Sequence, residues 1–147
     1  GHPFVTSDIT RKTFTRLRRA ALESHLSECR RMHNRMVMSD QQVSSDQGLR
    51  NRLDDFENRW PELTDRLAGV SSLETYRRFL RMLEFRLDRT LSGVTSGASQ
   101  TGAFGSAEEF SGDLALLRDG EVLAQVREPM MRWPSNVPPF RSIWQKR

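Results

Sequence analysis

The sequence contains one cysteine, Cys29, so no internal disulfide can form. No Cys/His cluster supplies a complete set of metal ligands. Lysine occurs only at Lys12 and Lys146, which makes the net charge of +4 almost wholly an arginine charge. No block of about five or more Lys/Arg residues exists, which excludes a polybasic tract. No apolar run approaches the length of a membrane span, and no secretory signal pattern opens the chain. Only 36% of residues are apolar and the mean hydropathy is −0.64. The continuous Val/Ile/Leu runs of a buried parallel sheet are missing as well. A single thiol without a partner points to a reducing compartment.

Amphipathic helical patterning fills the space these exclusions leave. Thr6, Ser7 and Asp8 are good N-cap types, and Phe14, Leu17, Ala21, Leu22, Leu26, Cys29, Met32 and Met36 follow at mostly three- and four-residue steps. The pattern predicts a helix from about Ser7 to Met38, roughly 45 Å long. That length suits a large helical assembly better than a small free-standing domain. A polar break over Met38–Ser45 precedes a capping-box pair, Ser44 and Gln47. Leu49, Leu53, Phe56 and Trp60 then mark a second helix, which Pro61 ends or restarts. A short turn over Glu62–Leu67 runs to Gly69. Ser71 and Glu74 form another capping-box pair before the clearest stripe, Tyr76, Leu80, Leu83, Leu87 and Leu91.

Residues 92–105 are nearly all Gly, Ser, Thr and Ala, and predict a flexible loop. Ser106 and Glu109 make a third capping-box pair ahead of Phe110, Leu114 and Leu117. The organisation is a helical segment over 1–127 and a Pro/Trp-rich tail over 128–147. In the tail, Trp133, Phe140 and Trp144 alternate with prolines and basic residues. Such a tail covers apolar surface, docks in a protein groove or stacks on single-stranded bases; the first fits best. Arginines interleaved with Asp and Glu describe solvated helix faces rather than a nucleic-acid surface.

Candidate chemistry is sparse. Cys29 lies four residues from both His25 and His33, a spacing compatible with a thiol–imidazole contact or two metal ligands. Helix packing explains all three more simply. Asp54, Asp55 and Glu57 read as a charged helix face. The glycines between 93 and 105 lack the Lys-Ser/Thr ending of a phosphate loop.

The order of several short segments adds to this reading. Gly1-His2-Pro3-Phe4-Val5-Thr6 resembles the end of the phosphoenolpyruvate carboxylase motif Gly-Gly-Asp-Arg-Asp-Gly-Asn/His-Pro, followed by an apolar residue and Val-Thr. Met38-Ser39-Asp40 is similar to that family's Leu-Ser-Met-Ser-Asp pattern. Leu49-Arg50-Asn51-Arg52-Leu53 resembles the helix that follows it there. Trp60-Pro61-Glu62 resembles Phe-Pro-Glu, and Glu74-Thr75-Tyr76-Arg77 resembles Glu-Pro-Tyr-Arg. Ser106–Phe110 and Asp113–Asp119 resemble a later segment ending Asp-Leu-x-Leu-Ile-Arg-Asp. The resemblance runs from Gly1 to about Asp119.

It implies an all-α chain of several antiparallel amphipathic helices, a helical part of a larger helix-rich barrel enzyme. Such enzymes are cytoplasmic, usually homotetrameric, and use Mg²⁺ or Mn²⁺ to form oxaloacetate and phosphate from phosphoenolpyruvate and bicarbonate. The family's catalytic histidine lies in Thr-Ala-His-Pro-Thr-Glu, which this sequence does not contain; His2-Pro3 is followed by Phe4-Val5-Thr6 and is not that motif. The Asp-Arg-Asp of the partial motif would lie upstream of Gly1. Only Gly1, His2 and Pro3 would border the active site, no catalytic or metal-binding residue carries over, and the chain by itself is expected to be inactive. The expected partner is the remainder of the parent enzyme, with no nucleic acid or membrane. The opening Gly1-His2-Pro3, without an initiator Met, reads as the start of an internal piece, a processed end or a tag remnant. A non-catalytic helical protein-interaction module is the alternative.

Overall fold

A computed structural model describes residues 3–35 and 47–118. They form five helices: α1 (Pro3–Arg35), α2 (Gln47–Arg59), α3 (Leu63–Leu67), α4 (Thr75–Ser96) and α5 (Ala107–Arg118). No strand occurs among the described residues, in line with the all-α expectation. The polar break over Met38–Ser45, the Ser44 cap and the tail over 128–147 lie outside them.

α4 is the hub. Met82–Leu87 are consecutively buried, so this helix is enclosed on all sides rather than along one stripe. α1 runs antiparallel to it: Arg30 bonds Glu84 while the first half of α1 lies beside Thr90 and Gly93. α2 and α3 contribute Leu49, Leu53, Phe56, Leu63 and Leu67 to the same core, and α5 contributes Phe110 and Leu117. Each fully buried Leu or Phe contributes about 1.5–3 kcal/mol relative to exposure.

The second half of α1 follows its expected stripe, with Ala21, Leu22, Leu26, Cys29 and Met32 buried. Its first half does not: Leu17 is 40% exposed and Phe14 only half-buried, because α4 and the connection after it leave an open groove beside this stretch instead of packing over it. The α2 stripe is buried as read. Pro61 both closes α2 and opens the next turn: the Trp60 N–H still donates to Phe56 O, while Pro61 O accepts from Thr64.

The loop expected over 92–105 begins later. α4 continues to Ser96, held by Leu91 and Val94 packing on the core, and stops where Gly97 takes the left-handed conformation (φ 74°) and donates to Gly93 O at 2.9 Å. The connection that follows is anchored, since Gly102 and Phe104 are buried and the Phe104 N–H donates to Thr90 Oγ1 at 2.9 Å. Gly102 has φ 84°, and a Cβ there would lie 2.8 Å from a Phe85 ring carbon. Glycine composition thus marks a tight turn against a core ring here.

Both described capping pairs form, each offset from the ideal box. Glu74 Oε2 accepts from the Ser71 N–H at 3.3 Å, but Ser71 Oγ accepts from Leu73, and α4 starts only at Thr75. Ser106 Oγ accepts from the Glu109 N–H at 3.2 Å, while Glu109 reaches back to Gly105 instead of Ser106.

Candidate functional site

Of the three residues expected to border an active site, Gly1 and His2 lie outside the described residues, and Pro3 opens α1. The geometry around Cys29, His25 and His33 argues against nucleophilic chemistry. Cys29 is buried, and burial together with Glu84 and Glu28 pushes its thiol pKa up to about 12. A thiol so held is not a thiolate near neutrality. His25 stands edge-on to Phe110 with ring centroids 5.1 Å apart, and burial pushes its pKa down to about 4. His33 is buried, and its pKa is lowered by burial and by Arg81 and Arg77. Cys29 and His33 are buried where α1 meets α4, and the half-buried His25 packs on α5. Asp55 and Glu57 pair with Arg52 and Arg78, as a charged face would.

The densest polar constellation is one the sequence reading did not single out. Arg86, in the middle of α4, is 1% exposed. Its Nε donates to Gly102 O at 2.9 Å, and Nη2 donates to Ala103 O at 3.2 Å and to Glu109 Oε1 at 2.5 Å. Nη1 donates to Asp113 Oδ2 at 3.4 Å. Arg52 of α2 approaches the same two carboxylates, at 2.9 Å from Asp113 and 3.7 Å from Glu109. The Arg86 guanidinium lies 4.1, 4.7 and 4.8 Å from the ring centroids of Phe104, Trp60 and Phe56. Such aromatic faces attract a cation.

Buried Arg86 and Asp113 thus form the centre of the cluster and partly exposed Arg52 and Glu109 its edge, with Arg86 also donating to two backbone carbonyls and Arg52 to Asp55. Burial raises the Asp113 pKa, and the two arginines only partly offset this. Glu109 goes the other way: burial pushes it up, but the Gly105 N–H and Arg86 outweigh that and hold it below the ordinary range. The sequence signal was present: Phe79, Met82, Arg86 and Thr90 share one face of α4, which puts an arginine at a core position. Glu109 and Asp113, four apart on α5, supply the matching acids.

This cluster is no metal centre. Its carboxylates already face guanidinium groups, and no group of three His, Cys, Asp or Glu among the described residues could hold a metal ion. No helix among them is long and apolar enough to cross a membrane. A groove of about 920 Å³ does open between the first half of α1, the last turns of α4 and the 97–105 connection. Phe14 and Phe104 line it together with Arg11, Arg18, Thr90 and Gln100, and no carboxylate does.

The sequence profile of the family described as Phosphoenolpyruvate carboxylase matches residues 1–131. The chain belongs to the phosphoenolpyruvate carboxylase family. The match passes Asp119 and takes in residues that the short motifs left unassigned. A phosphoenolpyruvate carboxylase of Roseiflexus castenholzii (strain DSM 13941 / HLO8) is 26% identical over 125 residues, which is 80% of this chain and 13% of that relative. The chain therefore spans about an eighth of the length of the curated carboxylase it matches. No solved structure matches it.

The carboxylase-like segments sit at structural joints. Trp60-Pro61-Glu62 forms the α2–α3 corner, Glu74–Arg77 opens α4 with an Arg77–Glu74 ion pair of 3.0 Å, and Ser106–Phe110 opens α5. Asp113 anchors the Arg86 cluster. The described part of the resemblance encodes helix entry and buried charge.

Proposed function

We propose that the chain is a helical part of a phosphoenolpyruvate carboxylase that forms oxaloacetate and phosphate from phosphoenolpyruvate and bicarbonate with Mg²⁺ or Mn²⁺. We further propose that residues 1–147 do not carry out this reaction alone. The family match over residues 1–131 carries the first statement. The second is supported by the state of the titratable groups: Cys29 and His25 are held neutral in the core, and Glu109 and Asp113 are committed to arginines. No group of three His, Cys, Asp or Glu among the described residues could hold a divalent cation, and the metal would be held by other residues of the complete enzyme. So do the groups that hold phosphoenolpyruvate and bicarbonate. Gly1, His2 and Pro3 would border the active site. The complete enzyme would be a cytoplasmic homotetramer, with residues 1–127 as a helical segment of it and 128–147 as a separate tail.

The test is oxaloacetate formation, read as NADH oxidation through malate dehydrogenase. The complete polypeptide should show activity that requires phosphoenolpyruvate, bicarbonate and Mg²⁺, and the 147-residue chain should stay at the buffer blank. A complete polypeptide that stays at the blank overturns the carboxylase reading; an active 147-residue chain overturns the assignment of catalysis to the rest of the enzyme.

A further inference from the structure

Resting on the reading of this chain as part of a longer carboxylase, we propose that the first half of α1 is a docking surface for the rest of that polypeptide. The segment seated on it is acidic and places an apolar side chain in the groove beside Phe14. From Ser7 to Ala20 every residue is exposed except Phe14 and Arg18, which are half-buried. Ile9 is 55% and Leu17 40% exposed, and these are two of the three large apolar side chains exposed among the described residues. A half-helix with uncovered apolar side chains gains stability by burying them, since most helix stability in proteins comes from packing an apolar face.

Charge identifies the occupant. Most arginines elsewhere among the described residues meet carboxylates, Arg30 and Arg81 with Glu84, Arg66 with Asp88 and Arg89 with Glu62, and Arg19 at the end of this stretch pairs with Glu23. Arg11, Lys12 and Arg16 have no such partner among the described residues, and Asp8, the lone carboxylate of this half-helix, pairs with none of them. The adjoining groove is lined by Arg11 and Arg18 and by no carboxylate. A surface of this kind favours an acidic partner and disfavours a basic one.

The chain's own tail is therefore a poor occupant, because residues 128–147 contain four basic residues and a single acidic one, Glu128. A small anion is a poor fit too. Ile9 to Leu17 spans about 12 Å of helix, and both of those side chains lie outside the groove, so the uncovered surface extends beyond a pocket. The chain is 13% of the length of its carboxylase relative, so the complete enzyme has ample polypeptide to cover it.

Lys12 makes the test direct, because it is the sole lysine among the described residues. The complete polypeptide and the 147-residue chain are each treated with a zero-length carbodiimide and, separately, with an amine-acetylating reagent, and Lys12 peptides are read by mass spectrometry. In the complete polypeptide, Lys12 should be acetylated roughly tenfold more slowly than in the 147-residue chain, as expected where an interface excludes solvent. It should also cross-link to an Asp or Glu outside residues 1–147 of the same polypeptide. Equal acetylation in both proteins overturns the docking surface. A cross-link to a second copy overturns the proposed occupant in favour of a self-interface. Protection without any carboxylate cross-link overturns its acidic character. The oxaloacetate assay on the same preparation separates the two proposals: an active enzyme with an open Lys12 sinks only the docking surface, and an inactive one with a protected Lys12 sinks only the carboxylase reading.

Discussion

Around Arg86 every charged group meets an opposite charge or a backbone carbonyl, whereas Arg11, Lys12 and Arg16 along the first half of α1 meet no carboxylate among the described residues. The two regions are built from the same residue type. What separates them is whether the fold brings acids to them: α5 delivers Glu109 and Asp113 to Arg86, and the α4 and 97–105 residues across the groove from the first half of α1 include no carboxylate. A buried arginine network costs desolvation and returns it only when complete, so its value shows on breaking it. An exposed cation costs little and waits for a partner.

The sharpest way to test that difference is to remove one member of the complete network. Arg86→Ala leaves Glu109 without its nearest cation and Asp113 with Arg52 alone, and should lower stability by about 3–5 kcal/mol. Urea denaturation followed by circular dichroism reads the loss, which is a large part of the stability of a chain this size. Unchanged unfolding would mean that the cluster contributes nothing net.

Gly102→Ala probes the same region through the backbone. It forces a left-handed φ on a residue with a Cβ and drives that Cβ to 2.8 Å from the Phe85 ring. The expected cost is about 2–4 kcal/mol by the same denaturation measurement. A neutral result would show that the 97–105 connection can lift away from Arg86 without penalty.

His25 gives a pH-dependent effect at the α1–α5 contact. Its folded pKa is about 4 against an ordinary value of 6.5, so the folded state binds fewer protons between those values. Its contribution to stability is complete above about pH 6.5 and is lost as pH falls towards about 4, a change of about 1–3 kcal/mol. Melting temperature should decline as pH is lowered from 7 to 4, and His25→Leu should flatten the decline. An identical slope in the variant would place the acid sensitivity elsewhere.

Smallest of all, Arg11→Glu and Arg16→Glu in the 147-residue chain should change stability by no more than about 0.5 kcal/mol, as exposed substitutions do. A larger loss would mean that these side chains already have partners, and the contrast between the regions would fail.

Much of the fold was legible from periodicity. The stripes Leu49–Leu53–Phe56 and Tyr76–Leu80–Leu83–Leu87 are buried as read, because a three- and four-residue apolar spacing has one helical solution. The end of α4 was less legible, since Ser92–Ser96 has loop composition and only the packing of Val94 and the Gly97 stop make it helix. Burial on α1 was overread at Leu17, because periodicity identifies a face and says nothing about what lies against it. Arg86 was missed for the converse reason. An arginine in a helix is solvated by default, and only three-dimensional proximity to Glu109, Asp113 and two carbonyls reverses that. The border residues Gly1 and His2 lie outside the described residues, so their reading rests on the motif alone.

The antiparallel pairing of α1 with α4 also sets an order of events on the ribosome. α1 ends at Arg35 and its partner α4 ends at Ser96. At roughly 5–20 residues per second, the intervening residues take about 3–12 s to synthesise. During that interval Leu22, Leu26, Cys29 and Met32, all later buried, have no α4 to lie on. The nascent chain therefore presents an unmatched apolar helix for seconds, a natural binding site for chaperones that capture such surfaces until α4 arrives.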